Sequence, residues 1–152
     1  MTTPQRRPRR TRAESGEEVL RHLLEVAPDR LTRAALLERM EPDYSPSQVA
    51  TGTLWVKEVG ASREGRPFTS SRKNGAGFPD DPQEWTEYEL GQGKRVYNML
   101  DRVLKSTIDP HLQQRPDDPI VRRLHEHFST AVREVGIGLE ELKHPPATPA
   151  GV

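Results

Sequence analysis

Few residues in this chain could do chemistry, and their spacing points away from catalysis. His125-Glu126-His127 offers two imidazoles. At i and i+2 they stand roughly 200° apart around a helix and cannot close on one metal ion. The glycine pairs Gly75/Gly77 and Gly91/Gly93 lack the strand-to-helix context of a phosphate-binding loop. Glu84, Glu87 and Glu89 read as a solvated helix face. The chain has no cysteine, so disulfides, thiolate nucleophiles and thiolate metal sites are absent. No catalytic residue, metal or cofactor is therefore expected, and the chain does not read as an enzyme.

What remains is a set of hydrogen-bonding and cationic side chains: Ser47, Gln48 and Thr51; Arg63, Arg66, Arg72, Lys73 and Asn74; and Arg6, Arg7, Arg9 and Arg10. Short polar side chains on a helix can meet base edges, and clustered cations neutralise phosphates. The formal net charge is zero, but residues 1–12 hold five arginines and no acid. Residues 45–77 hold five basic residues against Glu58 and Glu64. Positive charge thus gathers in an N-terminal arm and a middle segment, which is the footprint of a polyanion partner. The expected partner is double-stranded DNA, with no small-molecule effector evident.

Several elements must position these residues. Residues 1–13 read as a disordered basic arm. Ser15-Gly16-Glu17-Glu18 has capping-box grammar, and Val19, Leu20, Leu23, Leu24 and Ala27 follow on one helical face. Pro28-Asp29 ends that helix, and Arg30-Leu31 is a short extended link. Thr32 caps a second helix with Ala35, Leu36 and Met40 inward. Ser45-Pro46-Ser47-Gln48 combines cap, first-turn proline and capping-box partner, and opens a third helix running to about Val59. On it Val49, Gly52/Thr53, Val56 and Val59 face inward, Gln48 and Thr51 face out, Trp55 packs, and Gly60 is the stop. Asn74-Gly75 between two extended runs predicts a hairpin with positive φ at both residues.

Three helices and then a basic hairpin is the order of a winged helix-turn-helix, whose third helix can enter a major groove. Residues 16–110 resemble the actinobacterial RacP-like winged helix-turn-helix proteins. The resemblance rests on Ser47-Gln48-Val49, Trp55-Val56-Lys57-Glu58-Val59, Ala61-Ser62-Arg63, Arg66-Pro67-Phe68-Thr69, Asn74-Gly75 and Phe78-Pro79-Asp80-Asp81-Pro82-Gln83-Glu84-Trp85. It implies a DNA-binding regulator or a mobile-element accessory protein.

Asp81-Pro82-Gln83-Glu84 opens another helix, read as one element over 82–108 and ended by Asp109-Pro110. The alternative is a strand over 85–90 followed by a helix from Gln92. A last helix runs from about Pro119 to Val135, with Gly136 and Gly138 as breakers and residues 139–152 as a flexible tail. The stripes Trp85, Tyr88, Val96, Leu100, Val103 and Leu124, Phe128, Val132 are expected to form a homodimer interface. The fold class is thus mainly α with a small β-hairpin (α+β). The DNA-binding domain covers 14–80 and the C-terminal dimerisation helices cover 81–138. A competing reading is a winged-helix module for protein–protein contact within a larger replication or transfer complex. No apolar run reaches the length of a membrane helix, and a cytoplasmic location is expected.

Overall fold

A computed structural model describes residues 9–144, so Arg6 and Arg7 of the arm lie outside it. The chain is mainly helical with a small three-stranded antiparallel sheet, and it divides into two compact units between Tyr88 and Glu89.

In the first unit, helix α1 (Arg12–Val26) begins one turn before the expected Ser15. Thr11-Arg12-Ala13-Glu14 carries the same grammar and completes both bonds. The Glu14 amide donates to Thr11 Oγ1 at 3.1 Å, and the Thr11 amide donates to the Glu14 carboxylate at 2.6 Å. Ser15 is instead buried inside the helix, and Arg12 and Ala13 belong to α1 rather than to an arm. Strand β1 (Arg30–Leu31) follows, then α2 (Arg33–Met40), capped by Thr32 with Leu36 and Met40 buried as expected. Ser45 caps α3 (Pro46–Trp55) through the predicted box, with the Ser45 amide donating to Gln48 Oε1 at 2.8 Å.

Gly60 does not stop this helix. A π-turn at Val56–Gly60 leads into α4 (Ala61–Glu64), and the chain leaves the helix at Gly65, whose φ is +62°. A helix stop of this kind needs a left-handed residue. Gly60 keeps ordinary helical angles and is there for space, since a Cβ on it would lie 3.3 Å from the Trp55 ring. The π-turn also brings Gly60 inward and leaves Val59 exposed, the reverse of the expected register.

Strands β2 (Thr69–Ser71) and β3 (Gly75–Gly77) form the predicted hairpin. The sheet order is β1-β3-β2, so Arg30-Leu31 is a third strand rather than a link, pairing with Gly77 and Ala76. Ser71 pairs with Gly75, which leaves a three-residue loop, Arg72–Asn74. Only Gly75 of the turn has positive φ, so Asn74 does not take the conformation expected of it.

The core gathers Val19, Leu20 and Leu23 from α1, Leu36 and Met40 from α2, Val49 and Trp55 from α3, and Phe68 and Phe78, whose rings meet edge-on at 5.8 Å. Helices α1 and α3 cross at very close range. A Cβ on Gly52 would stand 2.5 Å from the Ser15 carbonyl oxygen, and one on Gly16 would enter the Trp55 ring.

The second unit begins within α5 (Pro82–Val103), whose start is capped by Asp81 Oδ1 accepting from the Gln83 amide at 2.9 Å. The one-helix reading holds, and no strand forms over 85–90. The helical path does not end at Asp109-Pro110. It passes through a π-turn at Leu104–Ile108 into α6 (Asp109–Gln114), with the Asp109 amide bonded to Leu104 O. A proline lacks the amide and crowds the carbonyl four residues back, and the widened turn accommodates both. Helix α7 (Pro119–Lys143) runs through Gly136 and Gly138, past the expected end at Val135 and into the expected tail. Gly136 seats the Tyr97 ring, 3.1 Å from where its Cβ would be.

Glycine-to-alanine changes should therefore have opposite signs at different sites. Gly91 has nothing within 4 Å of a built Cβ. Gly91→Ala should raise stability by about 0.5–1 kcal/mol through helix propensity alone. Gly52→Ala gains the same propensity but wedges two backbones apart, and should cost about 1–3 kcal/mol net. Urea unfolding followed by circular dichroism checks both signs.

Candidate nucleic-acid interface

Ser47, Ala50, Thr51 and Leu54 recur at three- and four-residue steps on one outward face of α3, and all four are exposed. Trp55 is buried, in line with its packing role. Beside this face runs a groove of about 340 Å³, lined by Arg33, Ala50, Thr53, Ser70, Ser71 and Arg72 among others. Its walls are α2, α3 and the hairpin. The Thr53 hydroxyl is turned back onto Val49 O at 2.9 Å. Asn74 shapes the hairpin tip, its amide donating to Ser71 Oγ at 2.9 Å.

The basic side chains fall into two groups. Arg33, Arg72 and Lys73 are exposed and make no ion pair among the described residues. Lys57, in the π-turn after α3, is likewise exposed and without an ion pair among the described residues, whereas Arg10, Arg12, Arg63 and Arg66 are held by the protein itself. Arg10 lies over the Tyr44 ring at 4.3 Å, and Arg12 pairs with Glu58. Arg63 is bound by both oxygens of Glu17 and stacks over Trp55 at 5.3 Å. Arg66 faces Asp80 at 3.7 Å and the Phe78 ring at 5.7 Å. Arg9 is exposed. Of the expected contact residues, Arg72 and Lys73 sit at the hairpin tip and Ser47 and Thr51 on the α3 face. Arg10, Arg63 and Arg66 are engaged elsewhere. Gln48 is half-buried, with its carbonyl oxygen spent on the cap.

Arg33 was not among the expected residues. The signal was present: Thr32 as cap puts Arg33 in the first turn of α2.

Trp85 and Tyr88, expected in a dimer seam, are engaged within the first unit. The Trp85 indole N–H donates to Pro79 O at 2.7 Å, and the Tyr88 hydroxyl stands 3.5 Å from Ser70 Oγ. A half-buried indole N–H needs an acceptor, and Pro79 supplies one. Of the other expected seam residues, Val96, Val103 and Leu124 are exposed, and Leu100, Phe128 and Val132 are half-buried.

His125 faces Asp109 at 3.2 Å, and no cluster of three metal-ligating side chains exists among the described residues. No helix among them is long and apolar enough to cross a membrane. Comparison with protein-family models, with curated proteins and with solved structures gave no match.

The Glu17–Arg63 pair has a titration signature. The Arg63 hydrogen bonds hold the Glu17 carboxyl below its ordinary 4.5, and Glu17 in turn raises the guanidinium. A carboxylate lowered on folding stabilises the fold fully above its ordinary value, and that contribution fades as pH falls through the folded value. In a carboxyl-detected NMR titration Glu17 should titrate below 4.5 in the native chain and return toward it in Arg63→Ala. An unmoved Glu17 would show that Arg63 is free in solution.

Proposed function

We propose that the protein binds double-stranded DNA as a winged helix-turn-helix, with α3 in the major groove and the β2–β3 hairpin as the wing, and that it acts as a dimeric, sequence-specific regulator or mobile-element accessory factor. One observation carries the reading. The free cations Arg33, Arg72 and Lys73 come from the two elements that flank α3, and the free Lys57 from the π-turn that continues it, while Arg10, Arg12, Arg63 and Arg66 are held by the protein itself. A helix seated in a groove about 12 Å wide needs cations on either side of it, aimed at the phosphates. The exposed Ser47 and Thr51 supply short hydrogen-bonding groups where base edges would lie. The resemblance to RacP-like proteins supports the same reading.

The exposed Leu54 and Val59 favour a second reading, a module that docks on another protein through this helix. The two readings part on duplex binding.

Titration of labelled mixed-sequence duplex at low salt should give a complex at micromolar protein that weakens steeply as salt rises. Arg33→Ala, Arg72→Ala and Lys73→Ala should each weaken all sequences alike and lower the salt slope by about 1. Thr51→Ala should cost about 1–3 kcal/mol on a selected site and little on random duplex. Thr51 is the better probe than Gln48, whose loss also removes a cap. Absence of any complex at low salt would leave the docking module as the function.

A further inference from the structure

The second unit carries more apolar surface than its two long helices bury against each other. They run antiparallel. A Cβ on Gly93 would lie 3.3 Å from Leu139, one on Gly136 would lie 3.1 Å from Tyr97, and Asp109 meets His125 at 3.2 Å. Among the described residues of this unit only Ile108, in the π-turn after α5, and Val121 of α7 are buried. A second stripe stays outside on each helix. On α5 it contains Val96, Met99 and Val103, and on α7 Ile120, Leu124 and Leu142, while the exposed Ile137 of α7 lies off it, beside Arg133 on the far side of the helix. Met99, Ile120 and Leu142 are 59%, 70% and 58% exposed.

These stripes share one side of the hairpin. At 3.6 residues per turn, the α5 stripe is displaced counter-clockwise from the Gly93–Tyr97 contact line, seen down the helix from its N-terminus. The α7 stripe is displaced in the same sense from its own contact line through Val121, Gly136 and Leu139. Equal displacement on antiparallel helices puts both stripes on one face. The opposite face carries Lys94, Asn98 and Lys105 against Arg122, Arg133 and Glu140.

Charge identifies what covers the apolar face. Arg95 and Arg102 lie just beyond the outer edge of the α5 stripe, exposed and without ion pairs among the described residues. Glu134 and Glu141 lie just beyond the outer edge of the α7 stripe. Both are exposed, and Glu134 meets only its neighbour Arg133 among the described residues. Each pair is spaced by seven residues, about two turns. A second copy set with its α7 antiparallel to α5 brings Arg95 within about one turn of Glu141 of the partner subunit. The same step brings Arg102 beside Glu134 of the partner subunit, and two-fold symmetry repeats both pairs. Setting α5 on the partner's α5 would bring Arg95 and Arg102 against their own copies and forgo these pairs.

We infer that the second unit self-associates as a four-helix bundle with its two-fold axis along the bundle, α5 of each chain packing antiparallel to α7 of the other. This deepens the dimer reading of the proposed function and is independent of DNA binding.

Sedimentation of the full chain at micromolar concentration tests it, and should give twice the 17.2 kDa chain mass. Arg95→Glu/Arg102→Glu and Glu134→Arg/Glu141→Arg should each weaken self-association about ten-fold or more, since four cross-chain pairs become repulsive. The four changes combined should restore it. These positions are exposed, so circular dichroism should stay unchanged. Val96→Glu/Leu124→Glu should give monomer with helices intact. A monomeric native chain, or a dimer indifferent to the charge reversals, would overturn the arrangement. Either result is separable from the DNA reading, which is measured on duplex binding.

Discussion

The first unit depends on the close crossing of α1 and α3. Neither Gly16 nor Gly52 could carry a side chain there, because the Trp55 ring fills the space over one and the Ser15 backbone fills the space over the other. Leucine-sized residues at this crossing would hold the axes at the usual 8–10 Å. The glycines let α3 sink onto α1, with Val19, Leu23, Val49 and Val56 sealing the contact. One face of α3 is thereby consumed in packing, and the opposite face, with Ser47, Ala50 and Thr51, is left as its outer surface.

The same crossing pairs two of the cations, Arg12 and Arg63. Bringing α1 against the α3–α4 path places Glu17 beside Arg63 and Glu58 beside Arg12, in each case across 46 residues of sequence. These exposed pairs contribute little stability. Their effect is on distribution, because they neutralise positive charge on the α1 side. Arg33, Lys57, Arg72 and Lys73 are left without an ion pair among the described residues. Unpaired charge thus borders the open face of α3, on which Ser47 and Thr51 sit beside Ala50 and Leu54, and the proposed DNA interface rests on that coincidence.

Local grammar in the sequence was read well where it had one meaning. Ser45-Pro46-Ser47-Gln48, Thr32 and Asp81-Pro82 start helices as expected, and Asn74-Gly75 marks the hairpin. Thr11-x-x-Glu14 and Ser15-x-x-Glu18 both match the capping-box pattern, but only the first forms the box, and Ser15 is buried against α3. Glycine carries two meanings. A glycine can end a helix by taking positive φ or can admit a neighbour by lacking a Cβ, and the letter alone does not distinguish the two. Gly65 does the first; Gly60 and Gly136 do the second. Pro110 misled for a related reason, since a π-turn relieves the clash that normally ends a helix. On the site, Arg72, Lys73, Ser47 and Thr51 were legible from element order. The internal pairing of Arg63 and Arg10 was not, because their partners are distant in sequence.

The most direct test of this account is backbone-amide NMR of the chain titrated with a short mixed-sequence duplex at low salt. Binding through α3 and the hairpin should concentrate the shifts at Arg33, Ser47, Ala50, Thr51 and the Arg72–Asn74 loop, with Glu17 and Arg63 unmoved. Shifts centred on Glu17 and Arg63, or an unchanged spectrum at saturating duplex, would contradict it.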